Sequence, residues 1–271
     1  MENTVQEQET SSSSLQELLD KYLDGKLLLE TYLRKGSGFC NDTIDQIFSC
    51  LIKLFSSGRV KGNTMIQFSL GPYIYYSFPA CAYFKEIIVA TSTNNCLEEL
   101  EKWRKNEADA LDMSHIAEFV CEREGNRETW MEKQSMIRSK MKKALKYNVI
   151  KHNPIAPIVL PQVDCLFLTH CIEVHTLTKE GFCSALKNIS SLLKPGGALI
   201  MIVLKETTFY MFGKFKFPHL CLDEGFLRKA VTDIGYCIEE LTVLPRKCEE
   251  LFDVNDYTAF MMLYARKETE G

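Results

Sequence analysis

The sequence predicts an α/β fold, a mostly parallel sheet with helices on both faces, and three observations carry that prediction. From Met65 to Leu204 short apolar runs rich in β-branched residues alternate with helix-length segments, the pattern of parallel strands joined by right-handed crossovers. The first run, TMIQFSLGPYIYY from Thr64 to Tyr76, breaks at Gly71-Pro72, which marks a strand and the turn after it. Two late runs, near Cys237-Leu244 and Thr258-Ala265, read as a closing hairpin that adds antiparallel strands at one side of the sheet. In open sheets of this kind ligands lie beyond the carboxyl ends of the strands, where strand order reverses, so the turn at Gly71-Pro72 is an expected cofactor contact.

Taken in order, residues 1–14 are polar and hydroxyl-rich and are expected to be a disordered tail, followed by a single domain over 15–271. Within it, 15–58 forms an N-terminal helical cap. Leu15 to Arg34 repeats apolar residues at helical spacing over one or two helices, and Asp42 or Thr43 is the expected cap of a third, Ile44 to Phe55, ended by Ser57-Gly58. Strands are expected near Met65-Ser69, Glu86-Thr91, Lys146-Val149, Asp164-Thr169 and Ala198-Leu204. Between and after them helices are expected at Cys96-Lys105, Ser114-Cys121, Glu128-Leu145, Lys179-Leu193 and Asp223-Ile234. In LLKPGGALIMI, Lys194-Pro195 stops a helix and Gly196-Gly197 turns the chain into a buried strand.

The 271 residues suffice for one α/β domain with a sizeable core. A net charge of −4 gives no general attraction to nucleic acid or to an anionic membrane, so a small molecule is the expected partner. The basic stretch from Lys133 to Lys151 lacks interleaved aromatics and reads as a solvated helix face. The eleven cysteines are scattered through apolar runs with no CxxC pair, which implies reduced, mostly buried thiols. The N-terminus has no basic region followed by an apolar one, so a cytoplasmic location is expected; the expected state is a monomer.

Five segments carry a closer reading: FKEIIVATSTNNCLEELEKW (84 to 103), CEREGNR (121 to 127), DCLFLT (164 to 169), SLLKPGGALIMI (191 to 202) and FYMFGKFKF (209 to 217). Together, over nearly the whole chain, they resemble the nicotinamide, indolethylamine and phenylethanolamine N-methyltransferase family. The resemblance implies the seven-stranded class I fold, S-adenosyl-L-methionine as cofactor and a small-molecule methyl acceptor. It also implies a cofactor site in which several residues are altered. Where the family has Asp-Ile-Gly-Ser-Gly-Pro, this chain has Gln67, Phe68, Ser69, Leu70, Gly71 and Pro72, so a carboxylate is lost and Ser69 adds a side chain at the closest approach. Thr91 stands where the family's aspartate holds the ribose hydroxyls; a lost charge-assisted bond costs roughly 1.5 to 3 kcal/mol, a ten- to hundredfold loss of affinity. Cys96 replaces an asparagine, and of a tyrosine cluster in the family's cap only Tyr32 has a counterpart. Tyr75, Val149 and Thr169 match further cofactor contacts, and Asn148 keeps an oxygen that can accept from the adenine amino group; on spacing alone Asn148 is a turn residue and Tyr75 a core aromatic.

By the same resemblance His170, Val203, Thr207, Tyr210 and His219 fall at the acceptor, with apolar Val203 where the nicotinamide enzyme has an aspartate. The cofactor brings its own electrophile, so the protein mainly aligns an acceptor lone pair: an amine, a ring nitrogen or a thioether. An ammonium acceptor needs a base, and THCIEVH just past the fourth strand supplies Glu173 and His175 as candidates beside His170. Alternation along this extended segment turns neighbours to opposite sides, so no metal site is expected from its His, Cys and Glu. The altered positions leave an alternative, a weak or inactive relative with a binding or regulatory role.

Overall fold

The computed structural model describes residues 12–125, 128–249 and 252–269; most of the expected tail, and Asn126 and Arg127 of the EGNR motif, lie outside them. The cap begins with α1 (Ser12–Tyr22) and α2 (Gly25–Leu33), the latter capped by Asp24, whose carboxylate accepts from the Lys26 and Leu27 amides. Then come α3 (Gly38–Thr43), a π-helical turn at Ile44–Phe48 and α4 (Ser49–Ser56). Asp42 and Thr43 therefore lie inside a helical run and do not begin one. Asp42 instead accepts from the Gln46 side-chain amide and from the Lys247 amide at 3.1 Å.

The expected sheet is present. Its parallel part is β1 (Gly62–Ser69), β2 (Phe84–Thr91), β3 (Met141–Lys146), β4 (Val163–Thr169) and β5 (Leu193–Lys205). The hairpin of β8 (Tyr236–Pro245) and β9 (Ala259–Lys267) adds its two strands antiparallel, giving the order β3-β2-β1-β4-β5-β9-β8. Strand order reverses between β1 and β4, where Ser69 pairs with both Thr91 and Thr169. A separate hairpin, β6 (Phe209–Phe212) with β7 (Phe215–Pro218), lies beyond the tip of β5 and was not expected.

Two places differ from expectation. Lys194-Pro195 and Gly196-Gly197 do not stop a helix and turn the chain, because the preceding helix ends at Ser190 and these residues already lie within β5. The second is a strand. α7 (Trp130–Lys140) stops at Lys140, and MKKALK becomes β3, so neither the helix through Leu145 nor the strand at Lys146-Val149 is seen. The physical reason is its edge position: Met141 and Leu145 turn inward while Lys142 and Lys143 are exposed, and lysines are suited to an unpaired sheet edge. The other connections are α5 (Asn94–Lys105), α6 (Ser114–Glu124), α8 (Lys179–Ser190) and α9 (Glu224–Thr232).

Strand alternation divides the core in two. Met65, Val89, Phe167, Ile202 and Leu204 face the cap and α4 to α7, whereas Ile66, Ala90, Leu168, Met201 and Val203 face α8 and α9. The cap is bound to the first face by fully or nearly fully buried leucines: Leu15, Leu19, Leu23, Leu28 and Leu33. Burying each stabilises by roughly 1.5 to 3 kcal/mol before entropy is counted.

Candidate active site

At the reversal point the backbone of His170 joins three strand tips: its amide donates to Ile202 O at 3.2 Å and its carbonyl accepts from the Leu70 amide at 3.1 Å. This holds His170 at φ 47°, a left-handed conformation that costs a non-glycine residue energy and tends to be kept where a side chain must be aimed. The imidazole packs against Tyr76 and Phe260, with Nε2 3.4 Å from the Tyr76 hydroxyl. Its Nδ1 lies 3.8 Å from Oε1 of Glu173, and neither atom has a hydrogen-bond partner among the described residues.

Burial dominates the chemistry of this cluster. Glu173 is 1% exposed, and burial pushes its carboxyl up to about 7 against three opposing backbone hydrogen bonds. Burial likewise drives His170 down to about 3, with His219 adding to the shift, and lowers His175 and His219 to about 4 each. All three imidazoles are therefore neutral at neutral pH. Nε2 of His219 and the hydroxyls of Thr207 and Tyr210 are also buried without a partner among the described residues. Such orphaned polar atoms are costly and point to a ligand or to ordered water.

The sequence candidates separate into three groups. Tyr32, Leu70, Tyr75, His170, Tyr210 and His219 line one cavity together with Tyr73, Tyr76, Leu204, Asn255 and Phe260. Ser69, Thr91 and Thr169 are buried at the strand tips, Gly71 in the turn after β1 and Cys96 in the first turn of α5. Glu173 and Thr207 are buried outside the cavity lining, Glu173 reaching it through His170, and farther off lie Asn148, Val149 and Val203. Asn148 Oδ1 accepts from the Ile150 amide at 3.1 Å in a local turn, and Val149 sits in the opposite core cluster. Val203 belongs to that opposite cluster as well; the parity of β5 puts Leu204 on the cavity wall instead, a correction readable from period-two alternation. His175 stands edge-on to Tyr147 with ring centroids 5.4 Å apart, and its Nδ1 bonds Cys171 O at 2.5 Å. Tyr73, Tyr76 and Phe260 were missed because an apolar strand or turn does not distinguish a cavity wall from core.

With this geometry in place, comparison with known proteins decides the lineage. Residues 13–268 match the model of the NNMT/PNMT/TEMT family. The chain belongs to that family. It is 35% identical to nicotinamide N-methyltransferase of Homo sapiens over 241 residues, covering 88% of this chain and 90% of that one. It is 36% identical to indolethylamine N-methyltransferase of Oryctolagus cuniculus, with 81% and 82% covered. Against phenylethanolamine N-methyltransferase of Macaca mulatta identity is 29%, with 80% and 78% covered. Among solved structures, magnesium protoporphyrin IX methyltransferase from Synechocystis PCC 6803 with bound SAH superposes with a TM-score of 0.61 at 10% identity, over 94% of this chain and all of that one, which establishes the class I fold.

Does the family's cofactor fit these residues? By position the strand tips are where a class I fold places it. By shape, in this packing, they do not fit. The cavity holds about 50 Å³, whereas ligand sites run to about 300 to 1,000 Å³. The polar atoms on the cofactor side are already spent within the chain. Thr91 Oγ1 and Ser92 Oγ donate to Leu70 O at 3.2 and 2.8 Å, and Ser69 Oγ donates to Gly71 O at 2.7 Å. Gln67 Nε2 donates to Tyr73 O at 2.6 Å and Thr169 Oγ1 to Phe68 O at 3.3 Å. Thr91, Cys96 and Thr169 are each 0% exposed.

Proposed function

We propose that this chain is an S-adenosylmethionine-dependent methyltransferase whose acceptor is a small molecule bearing an amine, a ring nitrogen or a thioether. Family membership across nearly the whole domain supports the reaction class, and the buried carboxyl of Glu173, whose Oε1 has no hydrogen-bond partner among the described residues, is the observation that carries the acceptor side. With its carboxyl held near 7, Glu173 is poised to take the proton of an ammonium acceptor at neutral pH, a task that no acid on β5 performs here. The neutral His170 ring, anchored at the Tyr76 hydroxyl, presents Nδ1 beside that carboxylate as an acceptor for a second N–H of the same amine. The walls of Tyr73, Tyr75, Tyr76 and Phe260 keep water from the lone pair. The protein acts as a cytoplasmic monomer without nucleic-acid or membrane partners; among the described residues no helix is long and apolar enough to cross a membrane.

One observation favours a second reading, a non-catalytic relative with a binding or regulatory role: the cofactor side is filled by the chain itself. Calorimetry with S-adenosylmethionine, followed by methyl transfer to a panel of amines, pyridines and thioethers, separates the two. Micromolar binding with transfer to one acceptor class supports the enzyme. Absence of heat at millimolar cofactor leaves the second reading.

A further inference from the structure

The two halves of the site differ in a way that neither fold nor family explains. On the acceptor side Glu173, His170, His219, Thr207 and Tyr210 keep polar atoms without partners among the described residues, while on the cofactor side the strand-tip hydroxyls are bonded within the chain. The difference traces to α2. A Cβ built on Gly71, the glycine whose bare backbone would admit a ligand, collides with Cδ2 of Leu28, and one built on Gly25 stands 3.0 Å from Cγ of Pro72. The first turns of α2 thus lie directly on the Leu70-Gly71-Pro72 loop. Leu28 is 0% exposed and Gly71 is buried.

We propose that α2 is a self-inhibitory plug: the Leu28 side chain occupies the space over Gly71 that an adenosyl cofactor needs, so donor binding requires α2 to leave the loop. This rests on the methyltransferase reading above. Release breaks several polar ties, among them those of α2 itself from the buried Tyr32 hydroxyl to Met211 O at 2.8 Å and between Nε2 of His115 and Leu33 O at 3.1 Å. Gly25 N donates to Asn95 Oδ1 at 2.9 Å, Gln16 Nε2 donates to Ser92 O at 3.0 Å, and Lys146 pairs with Asp20 at 2.7 Å with both side chains about a third exposed. Exposed pairs of this kind hold weakly. The main resistance is apolar, and Leu28 is the part of it that stands in the ligand's place. The arrangement is the opposite of a lid that closes over its ligand, because ligand and helix compete for one volume.

The test uses the whole chain and S-adenosylhomocysteine as a non-reacting probe. Leu28→Ala, which empties the space over Gly71, is expected to bind the probe about ten- to hundredfold more tightly than the native chain, since release of one buried leucine no longer opposes binding. In the native chain, amide hydrogen exchange over Gly25–Leu33 is expected to speed up on adding the probe; a closing lid slows it. This second readout keeps the proposal open to refutation even if Leu28→Ala fails to fold. Equal affinity of the two proteins, or probe-induced protection of Gly25–Leu33, overturns the plug and leaves the methyltransferase reading intact. Absence of binding to either protein at millimolar probe overturns both.

Discussion

Replacing Glu173 by Gln isolates the energy stored in one buried carboxyl. In the unfolded chain this group titrates near its ordinary 4.5, whereas in the fold burial raises it to about 7. Between those values the folded protein holds a proton that the unfolded chain has lost, so stability falls as pH rises through that window and stays reduced above it. The shift corresponds to a penalty on the order of 3 kcal/mol above neutral pH. Gln keeps the shape and cannot ionise, so the variant loses this slope. His170, His175 and His219 work in the other direction, since their lowered values cost stability as pH falls below about 6.5. They are present in both proteins and cancel in the comparison. Urea unfolding at about pH 5 and about pH 8 gives the readout: native stability should drop between the two by up to about 3 kcal/mol more than that of Glu173→Gln. Parallel pH dependence in the two proteins refutes the argument, because it means the carboxyl is already ionised or solvated at neutral pH. In the methyl-transfer assay the same titration should make activity toward an ammonium acceptor rise through about pH 7 and vanish in the variant.

Thr91→Asp places a carboxylate against the Leu70 carbonyl that Thr91 now donates to at 3.2 Å, which should lower stability by roughly 2 kcal/mol without ligand. Added S-adenosylhomocysteine should raise the melting temperature of this variant more than that of the native chain; equal shifts mean that residue 91 does not meet the ribose. Lys133 is 1% exposed and pairs with Glu124 at 2.5 Å and Glu128 at 2.9 Å, so Lys133→Met should cost roughly 3 kcal/mol in denaturant unfolding, and a loss under about 0.5 refutes a structural role for these pairs. Asp164 ties β1 to β5, accepting from the Asn63 and Thr64 amides at 2.7 and 3.0 Å and from Lys194 at 2.5 Å, and these partners hold its carboxyl below the usual carboxylate range. Its contribution is present above about pH 4 and lost as pH falls, so Asp164→Asn should cost about 2 kcal/mol at neutral pH and flatten the acid limb of the stability curve.

How much of this was legible in the sequence depends on the range of the interaction that fixes each feature. Strand alternation is local, and Met65, Ile66, Gln67 and Phe68 declare their faces by period alone; the same parity, applied to β5, places Leu204 rather than Val203 at the cavity. Caps are local too: Thr129 and Glu132 form a capping box at the start of α7. MKKALK was illegible because its residues suit a helix as well as an edge strand, and only pairing with β2 decides. The β6-β7 hairpin is four residues a side and turns at Gly213, too short for periodicity to register. The site is the extreme case. Glu173 could be named from its place after β4, but its elevated pKa comes from burial by residues distant in the chain. That Gly71 meets Leu28 and not a ligand is a contact across the whole cap, invisible to any window of sequence. Ser69, Thr91 and Cys96 looked like lost cofactor contacts when read one at a time. In the fold Ser69 bonds the Leu70-Gly71 loop to itself, Thr91 ties the end of β2 to the same loop, and Cys96 is fully buried in the first turn of α5. Substitutions that weaken a ligand's hold and contacts that replace the ligand are thus one structural change, in which the loop has traded external partners for internal ones.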